Sequence, residues 1–181
     1  GPNGHRAVQA VTDETTTNYG TVFWPDTELS STSGFTVACV ARADAATSSR
    51  VLLAKMNNAA RAWGLTSNLA GLTNAGAGAW AATANVGFTD TNSYHAVIMT
   101  FVPGQPFRVY RDDVNSAYAT ANSAAAGIAD TSVGIRFASR DTGGGTMSAR
   151  LSTWLTLDIG YAHGAAELTT IMDALKTYGG I

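Results

Sequence analysis

Over most of the chain, apolar and polar residues alternate in short stretches that are separated by turn-forming residues. Because successive side chains of a strand point to opposite faces, this period of two predicts strands that bury one face. The period is unclear over 69–85, a stretch rich in Gly, Ala and Asn that contains Trp80. Strands are predicted at 21–25, 34–43, 49–56, 61–67, 93–102, 106–111, 114–120, 132–140 and 148–162.

The period changes near the C-terminus, where apolar residues recur at the spacing of one helix face. Glu167 near the start and Lys176 near the finish suit the helix dipole, and Gly179 with Gly180 supplies a stop. Many short strands followed by a single helix favour an all-β, two-sheet antiparallel sandwich with one C-terminal α-helix on its edge or flank. The apolar residues at helical spacing are Leu168, Ile171, Met172, Leu175 and Tyr178.

The composition fits one domain built from strands and turns. A length of 181 residues predicts a single domain over 1–181, with a core at 21–180 and an N-terminal arm at 1–20. Charged residues make up 13% of the chain, against roughly 25% in an average globular protein, so few solvated helix faces are expected. Gly1 and Pro2 are typical of residues that remain after an expression tag is cleaved.

Charge and cysteine content narrow the classes of function. The net charge of -2 and the lack of a basic cluster argue against nucleic-acid binding. No apolar run reaches the roughly 18 residues of a membrane-spanning helix, so membrane insertion is not expected. The single cysteine, Cys39, has apolar neighbours at alternate positions, which predicts a buried and inert thiol.

Two adjacent carboxylates, Asp112 and Asp113, lie between the predicted strands 106–111 and 114–120. They could act together as a pair of acids, or they could form the corner of a hairpin. Neighbouring residues of a tight turn point in different directions, whereas paired catalytic acids are spaced along one strand. Short acidic residues also favour turn geometry, so the preferred interpretation is a hairpin corner with a new strand beginning at Val114.

Several segments, in this order along the chain, resemble the laminin-G-like, concanavalin A-like jelly rolls. The last segment is the most specific, because a strand, a short link and a helix follow one another in a fixed order. The hairpin segment departs from the family pattern, which has Gly at the position of Asp113. The matching segments are GFTVACVARAD (34–44), LLAKMNNAARAWGLTSN (52–68), YHAVIMTFVPGQPFRVYRDDV (94–114) and the stretch 133–180.

The resemblance implies a jelly-roll connection of the two sheets. Relatives of this compact form serve as carbohydrate-binding modules and as appended domains of bacteriophage fibres. The chain is therefore predicted to be a lectin-like domain of a virion or extracellular surface protein that binds a glycan or a partner subunit. A purely structural decoration or oligomerisation module is an alternative, and a degenerate glycoside hydrolase is another.

Glycoside hydrolases that resemble this family carry two glutamates around an aspartate on one strand, because alternation brings both carboxylates to one face. On the best matching strand, the resemblance aligns Asp158 with the central aspartate. Thr156 stands at the first glutamate, and Gly160 or Tyr161 stands at the second. One carboxylate cannot be both nucleophile and proton donor, so the domain is predicted not to be an enzyme.

Sugar recognition uses aromatic faces for the apolar side of the ring, and Asn, Asp or Arg for the hydroxyl groups. The candidate ligand-binding residues are Trp80, Tyr118, Arg140 and Asp141. No cofactor is expected apart from calcium, which takes oxygen ligands from loops in many proteins of the resembling family. The candidate calcium ligands are Asp112, Asp113 and Asp141.

Three further residues are assigned structural roles. Trp63 and Trp154 lie in predicted strands, where they are expected to pack in the core or on a sheet face. His95 lies in the firm strand 93–102, far in sequence from His5 and His163, and is expected to be a hydrogen-bonded residue of the sheet.

Overall fold

The computed structural model places twelve strands and one helix within the residues that it describes. These residues are 7–10, 23–24, 34–43, 51–56, 61–66, 70–73, 80–82, 93–121, 124–129, 131, 134–137, 149–159 and 164–181. The strands are β1 (Ala7–Ala10), β2 (Phe23–Trp24), β3 (Phe35–Ala43), β4 (Val51–Met56), β5 (Arg61–Thr66), β6 (Ala70–Thr73), β7 (Trp80–Ala82), β8 (His95–Phe101), β9 (Arg108–Arg111), β10 (Ala119–Thr120), β11 (Ile135–Phe137) and β12 (Ala149–Ile159). The helix is α1 (Ala165–Gly179).

The strands form two six-stranded sheets, and the neighbouring strands within each sheet are antiparallel. The first sheet has the order β1-β12-β3-β8-β9-β10, and the second has the order β2-β11-β4-β5-β6-β7. Two antiparallel sheets with one C-terminal helix confirm the prediction of a mainly β sandwich, while the jelly-roll connection stays a prediction. The predicted arm 1–20 contributes β1, which pairs with β12 at one edge of the first sheet.

Aromatic side chains fill the space between the two sheets. The ring of Phe35 from β3 stacks on that of Trp63 from β5, with 5.7 Å between the ring centroids, and the Phe101 ring lies 6.0 Å from Phe35. All three side chains are fully buried, so the core position predicted for Trp63 is confirmed. Because side chains alternate along a strand, the odd-numbered residues of β3 face the second sheet and the even-numbered ones face the opposite side.

Helix α1 lies on that opposite side, over β3 and β8 at the centre of the first sheet. The prediction of a helix on the edge or flank is therefore wrong. The physical reason is that the outer face of the sheet is itself apolar here, so that burying it requires a covering element. Leu168, Met172 and Leu175 of the helix pack on Ala38, Val40, Ala96, Ile98 and Tyr110 of the sheet.

The helix begins and ends where the sequence indicates. The carboxylate of Glu167 accepts a hydrogen bond from the N–H of Gly164 at 2.9 Å, which pairs one of the free donors of the first turn. Gly180 follows the helix with a φ of 65°, in the left-handed region that glycine adopts without strain. Its N–H donates to the carbonyl of Lys176 and closes the final turn.

Cys39 lies in β3 and is fully buried. Burial raises the pKa of its thiol to about 12, because the thiolate would have to form in an apolar environment. The predicted burial of the thiol is thus confirmed, and its lack of reactivity stays a prediction. Among the described residues, no helix is long and apolar enough to span a membrane.

Candidate functional site

The connection between β9 and β10 spans residues 112–118 and contains both acidic residues of the predicted hairpin corner. The second strand begins at Ala119, so the prediction that it begins at Val114 is wrong. Two features prevent pairing at Val114. Asp112 adopts a φ of 60°, which turns the backbone out of the strand. Val114 and Ala117 then pack against the apolar cluster beneath helix α1.

Asp112 extends the pairing of β8 and β9 by one residue through its side chain. Its N–H donates to the carbonyl of Ala96 at 2.9 Å. The N–H of Ala96 donates in return to Oδ1 of Asp112 at 2.8 Å, where a regular strand would offer a backbone carbonyl. The backbone carbonyl of Asp112 accepts instead from Nζ of Lys176 at 3.2 Å. One residue therefore joins β8, β9 and α1.

The other carboxylate oxygen of Asp112 binds His95. Nδ1 of His95 donates to Oδ2 of Asp112 at 2.7 Å, and the histidine side chain is only 9% exposed. Nε of Arg111 lies 3.9 Å from the same oxygen. Burial by itself would raise the pKa of Asp112, but the hydrogen bonds from His95 and Ala96 and the nearby positive charges outweigh it and lower the pKa. The predicted hydrogen-bonded sheet histidine is confirmed.

Tyr118 lies at the end of this connection and is 41% exposed. The guanidinium carbon of Arg111 lies 4.2 Å from the centre of the Tyr118 ring, a cation–π contact that covers one face of the ring. We call Arg111 and Tyr118 together the Tyr118 platform.

Asp113 and Asn115 lie in the same connection and are exposed. Oδ1 of Asp113 accepts from the backbone N–H of Asn115 at 3.0 Å and from its side-chain Nδ2 at 2.7 Å. This turn fixes both side chains. Within the described part of the chain, Oδ2 of Asp113 and the amide oxygen of Asn115 have no hydrogen-bond donor, so both present acceptors to solvent.

The described residues do not test whether the other predicted ligand-binding residues lie near the platform. Trp80 begins β7, the outermost strand of the second sheet, where its backbone pairs with Thr73. Arg140 and Asp141 lie outside the described residues. Tyr118 was found by the sequence because it is an aromatic residue close to a predicted turn. Arg111 was missed, because its contact with Tyr118 depends on the path of the intervening connection.

The candidate calcium ligands Asp112 and Asp113 point in different directions. Both oxygens of Asp112 already accept hydrogen bonds from nitrogen donors, and Asp113 closes the turn to Asn115. Asp141 lies outside the described residues. In the described ranges, no group of three or more His, Cys, Asp or Glu side chains lies close enough to hold a metal ion.

Asp158 is the residue that the sequence aligns with the central aspartate of the glycoside hydrolases, and the strand pairing gives its neighbours across the sheet. Asp158 of β12 pairs with Thr36 of β3, and Thr36 pairs in turn with Thr100 of β8. The two threonine hydroxyl groups are buried and lie 3.3 Å apart. The cross-strand partner of Asp158 is therefore a threonine, and the next residue across the sheet is a second threonine.

Together these features define a two-sheet antiparallel β-sandwich domain with a helix on one outer face and an exposed aromatic platform at an edge connection. No protein-family model matches the chain, and neither does any curated protein. Solved structures do match. The binding domain of Paraclostridial Mosquitocidal Protein 1 superposes with a TM-score of 0.65 and 12% identity, over 98% of this chain and 46% of that chain.

Two further solved structures share the sandwich. The sialidase of Trypanosoma rangeli, in complex with a difluorinated keto-deoxy-nononic acid, matches with a TM-score of 0.56 and 15% identity over 88% of this chain and 26% of its own. HCR/D-Sa-GBL1/C matches with a TM-score of 0.52 and 12% identity, over 78% of this chain and 36% of its own. This chain thus spans less than half the length of each of these proteins. At such identities the likeness shows the fold.

Proposed function

We propose that the chain is a non-catalytic, lectin-like binding domain with a jelly-roll sandwich, and that it binds a glycan or a receptor through the Tyr118 platform. The observation that carries the proposal is the exposure of Tyr118 beside a positioned arginine. An aromatic ring that is held in place and reached by solvent suits the apolar face of a sugar or an interface anchor. It is positioned before a ligand arrives, which lowers the entropy cost of binding.

The contacts behind the platform support this role. Arg111 is the last residue of β9, and Asp112 beside it is joined to His95, Ala96 and Lys176. The start of the connection is therefore attached to a buried strand and to the helix. Its middle is held by the apolar contacts of Val114 and Ala117. Such anchoring lets a loop residue keep one orientation, as a binding residue requires.

The fold comparison gives independent support. The mosquitocidal protein structure that matches 98% of this chain is that of a binding domain. Fold does not by itself assign function, so the comparison raises the expectation of binding without naming a ligand.

The absence of catalysis is part of the proposal. Thr36 and Thr100, the described residues that follow Asp158 across the first sheet, carry no second carboxyl group. Incubation with laminarin and other β-glucans tests this point: we expect no release of reducing ends above the buffer blank. Release that Asp158→Asn abolishes would contradict the proposal and favour a hydrolase.

We also propose that the domain belongs to a bacteriophage fibre or to another extracellular surface protein. The support for this setting is the sequence resemblance to laminin-G-like domains of virion proteins. Identification of the parent protein, for example by antibody labelling of purified virions, tests this setting.

A glycan array followed by isothermal titration calorimetry tests the proposed binding. We expect wild-type protein to bind saccharides, and Tyr118→Ala to weaken binding about tenfold or more, since truncating a central aromatic anchor typically costs over 1 kcal/mol. Val102→Ala is the matched control, because Val102 is similarly exposed, at 37%, but lies outside the connection. Equal losses in both variants, or none in either, would contradict the role of the platform. Light scattering of the same samples tests the alternative of an oligomerisation module.

A further inference from the structure

We infer that the ligand of the Tyr118 platform is an uncharged saccharide, held by its hydroxyl groups, rather than an acidic sugar. This inference rests on the proposed function and adds the chemical class of the ligand. It is carried by the charges around the platform and by the acceptors that the connection presents.

The positive charges at the platform are already engaged. The Arg111 guanidinium lies over the Tyr118 ring, and its Nε lies 3.9 Å from Oδ2 of Asp112. The Lys176 ammonium donates to the carbonyl of Asp112. A carboxylate of a ligand would have to compete with these contacts for either cation, whereas a specific anion site offers donors that converge on the anion.

Charge balance also disfavours an anion. The connection and its direct contacts contain two cations, Arg111 and Lys176, and two carboxylates, Asp112 and Asp113, whose formal charges cancel, and a proton on His95 would add a positive charge that Asp112 already pairs. Asp112 is shielded by its hydrogen bonds, but Asp113 is exposed on the solvent side. A negatively charged ligand on the platform would therefore meet the charge of Asp113, while the positive charges nearby are already paired.

The acceptors of the connection match hydroxyl donors. Oδ2 of Asp113 and the amide oxygen of Asn115 face solvent, and the turn between the two residues fixes their relative position. Neighbouring hydroxyl groups of a sugar can donate to such a pair of oxygens, while the C–H face of the same sugar packs on the exposed part of the Tyr118 ring. The carboxylate of an acidic sugar, unlike the primary alcohol that it replaces, has no proton to donate to either oxygen.

Matched neutral and acidic saccharides test the inference. Oligosaccharides of glucose, galactose and mannose are compared with those of the corresponding uronic acids, which keep the ring geometry and replace the primary alcohol by a carboxylate. Isothermal titration is run with the full chain at about 0.02 M and about 0.5 M salt, because screening separates charge effects from shape. We expect at least one neutral series to bind about tenfold tighter than its uronate partner at low salt, with a smaller difference at high salt.

Two substitutions at one position sharpen the test. Asp113→Asn removes the charge and keeps a hydrogen-bonding group, because its oxygen can still accept from Asn115 while its NH2 group takes the place of Oδ2. We expect uronate affinity to rise about three- to tenfold while the neutral affinity changes less, since sugar hydroxyl groups accept as well as donate hydrogen bonds. Asp113→Ala removes both the charge and the hydrogen-bonding group, so the neutral affinity should fall. Arg108→Ala is the control for general charge, since Arg108 is exposed on β9 and alternates to the face opposite Arg111.

The outcomes distinguish this inference from the proposed function. Tighter binding of uronates at low salt that weakens with added salt would overturn the inference and leave a glycan-binding domain. An Asp113→Asn variant that gains nothing for uronates would also contradict it. Binding to neither series, together with an empty glycan array, would overturn the proposed glycan binding itself.

Discussion

Replacing Asp112 with alanine removes three features of the connection between β9 and β10 at once. The N–H of Ala96, a fully buried residue, loses its acceptor. His95 loses the partner of its 2.7 Å hydrogen bond. The new residue must also adopt a φ of 60°, which alanine tolerates less well than aspartate.

The expected loss of stability follows from these three contributions. An unpaired buried donor costs about 1–3 kcal/mol, and a hydrogen bond to a charged group contributes about 1.5–3 kcal/mol. The left-handed backbone adds about 1 kcal/mol for alanine. Because His95 retains 9% exposure and water reaches part of Asp112, we take the lower part of these ranges and expect roughly 3–5 kcal/mol. For a domain of this size, that loss corresponds to a melting temperature lower by roughly 10 °C.

Equilibrium unfolding in urea, followed by tryptophan fluorescence, measures this loss as a free energy of unfolding. Asp112→Asn keeps an acceptor for Ala96 and a residue type that tolerates positive φ, so it should lose the least. Asp112→Gly accepts the backbone conformation but offers no acceptor, so it should be about 1 kcal/mol less destabilised than Asp112→Ala. Asp113→Ala is the matched control, because Asp113 is exposed and should change stability by about 1 kcal/mol or less.

The reasoning would be refuted by a loss below about 1 kcal/mol in Asp112→Ala, or by an equal loss in Asp113→Ala. Either result would show that the contacts to His95 and Ala96 do not anchor the connection.

Three further results are expected. The pKa of folded Asp112 is lowered below its ordinary value of 3.8, so its ionised form stabilises the fold fully above that value and loses this effect as the pH falls through the folded pKa. In melting curves between about pH 7 and pH 2, the difference in melting temperature between wild type and Asp112→Asn should therefore become smaller in acid. A constant difference would contradict this. Cys39, buried and with a pKa of about 12, should react with a thiol reagent only after unfolding, so stoichiometric labelling of the native protein would show that β3 opens. Gly180→Ala should lower the free energy of unfolding by about 1 kcal/mol and Gly180→Asn by less, because alanine is strained at a φ of 65° and asparagine tolerates it better. Equal losses in the two variants would point to a packing effect.

The sequence identified part of the candidate site. Tyr118 was predicted because an aromatic residue close to a turn is readily recognised, and its exposure agrees with a ligand-binding role. Arg111 gave no such signal, since an arginine at the end of a strand is common and its contact with Tyr118 depends on a seven-residue connection. Asp112 and Asp113 were expected to share a hairpin corner. Their different hydrogen bonds show that one anchors the connection and the other faces solvent.

Elements whose signals are local could be predicted from the sequence. The short apolar runs of β3 and β8 and the helical spacing of α1 predicted those elements within about two residues, because a strand buried on both faces and a helix buried on one face select different patterns of apolar residues. The end of helix α1 at Gly180 was also predicted from a local signal, because the left-handed backbone conformation that follows a helix favours glycine.

Where these elements meet depends on the order and register of the strands in the folded chain. The helix lies on the centre of the first sheet because the sheet order places two apolar outer faces, those of β3 and β8, side by side. His95 and Lys176 reach Asp112 from 17 and 64 residues away. Such contacts depend on strand order and register, which no local pattern of residues encodes. Because of these contacts, Asp112 anchors the connection, whereas the adjacent Asp113 presents an acceptor to solvent.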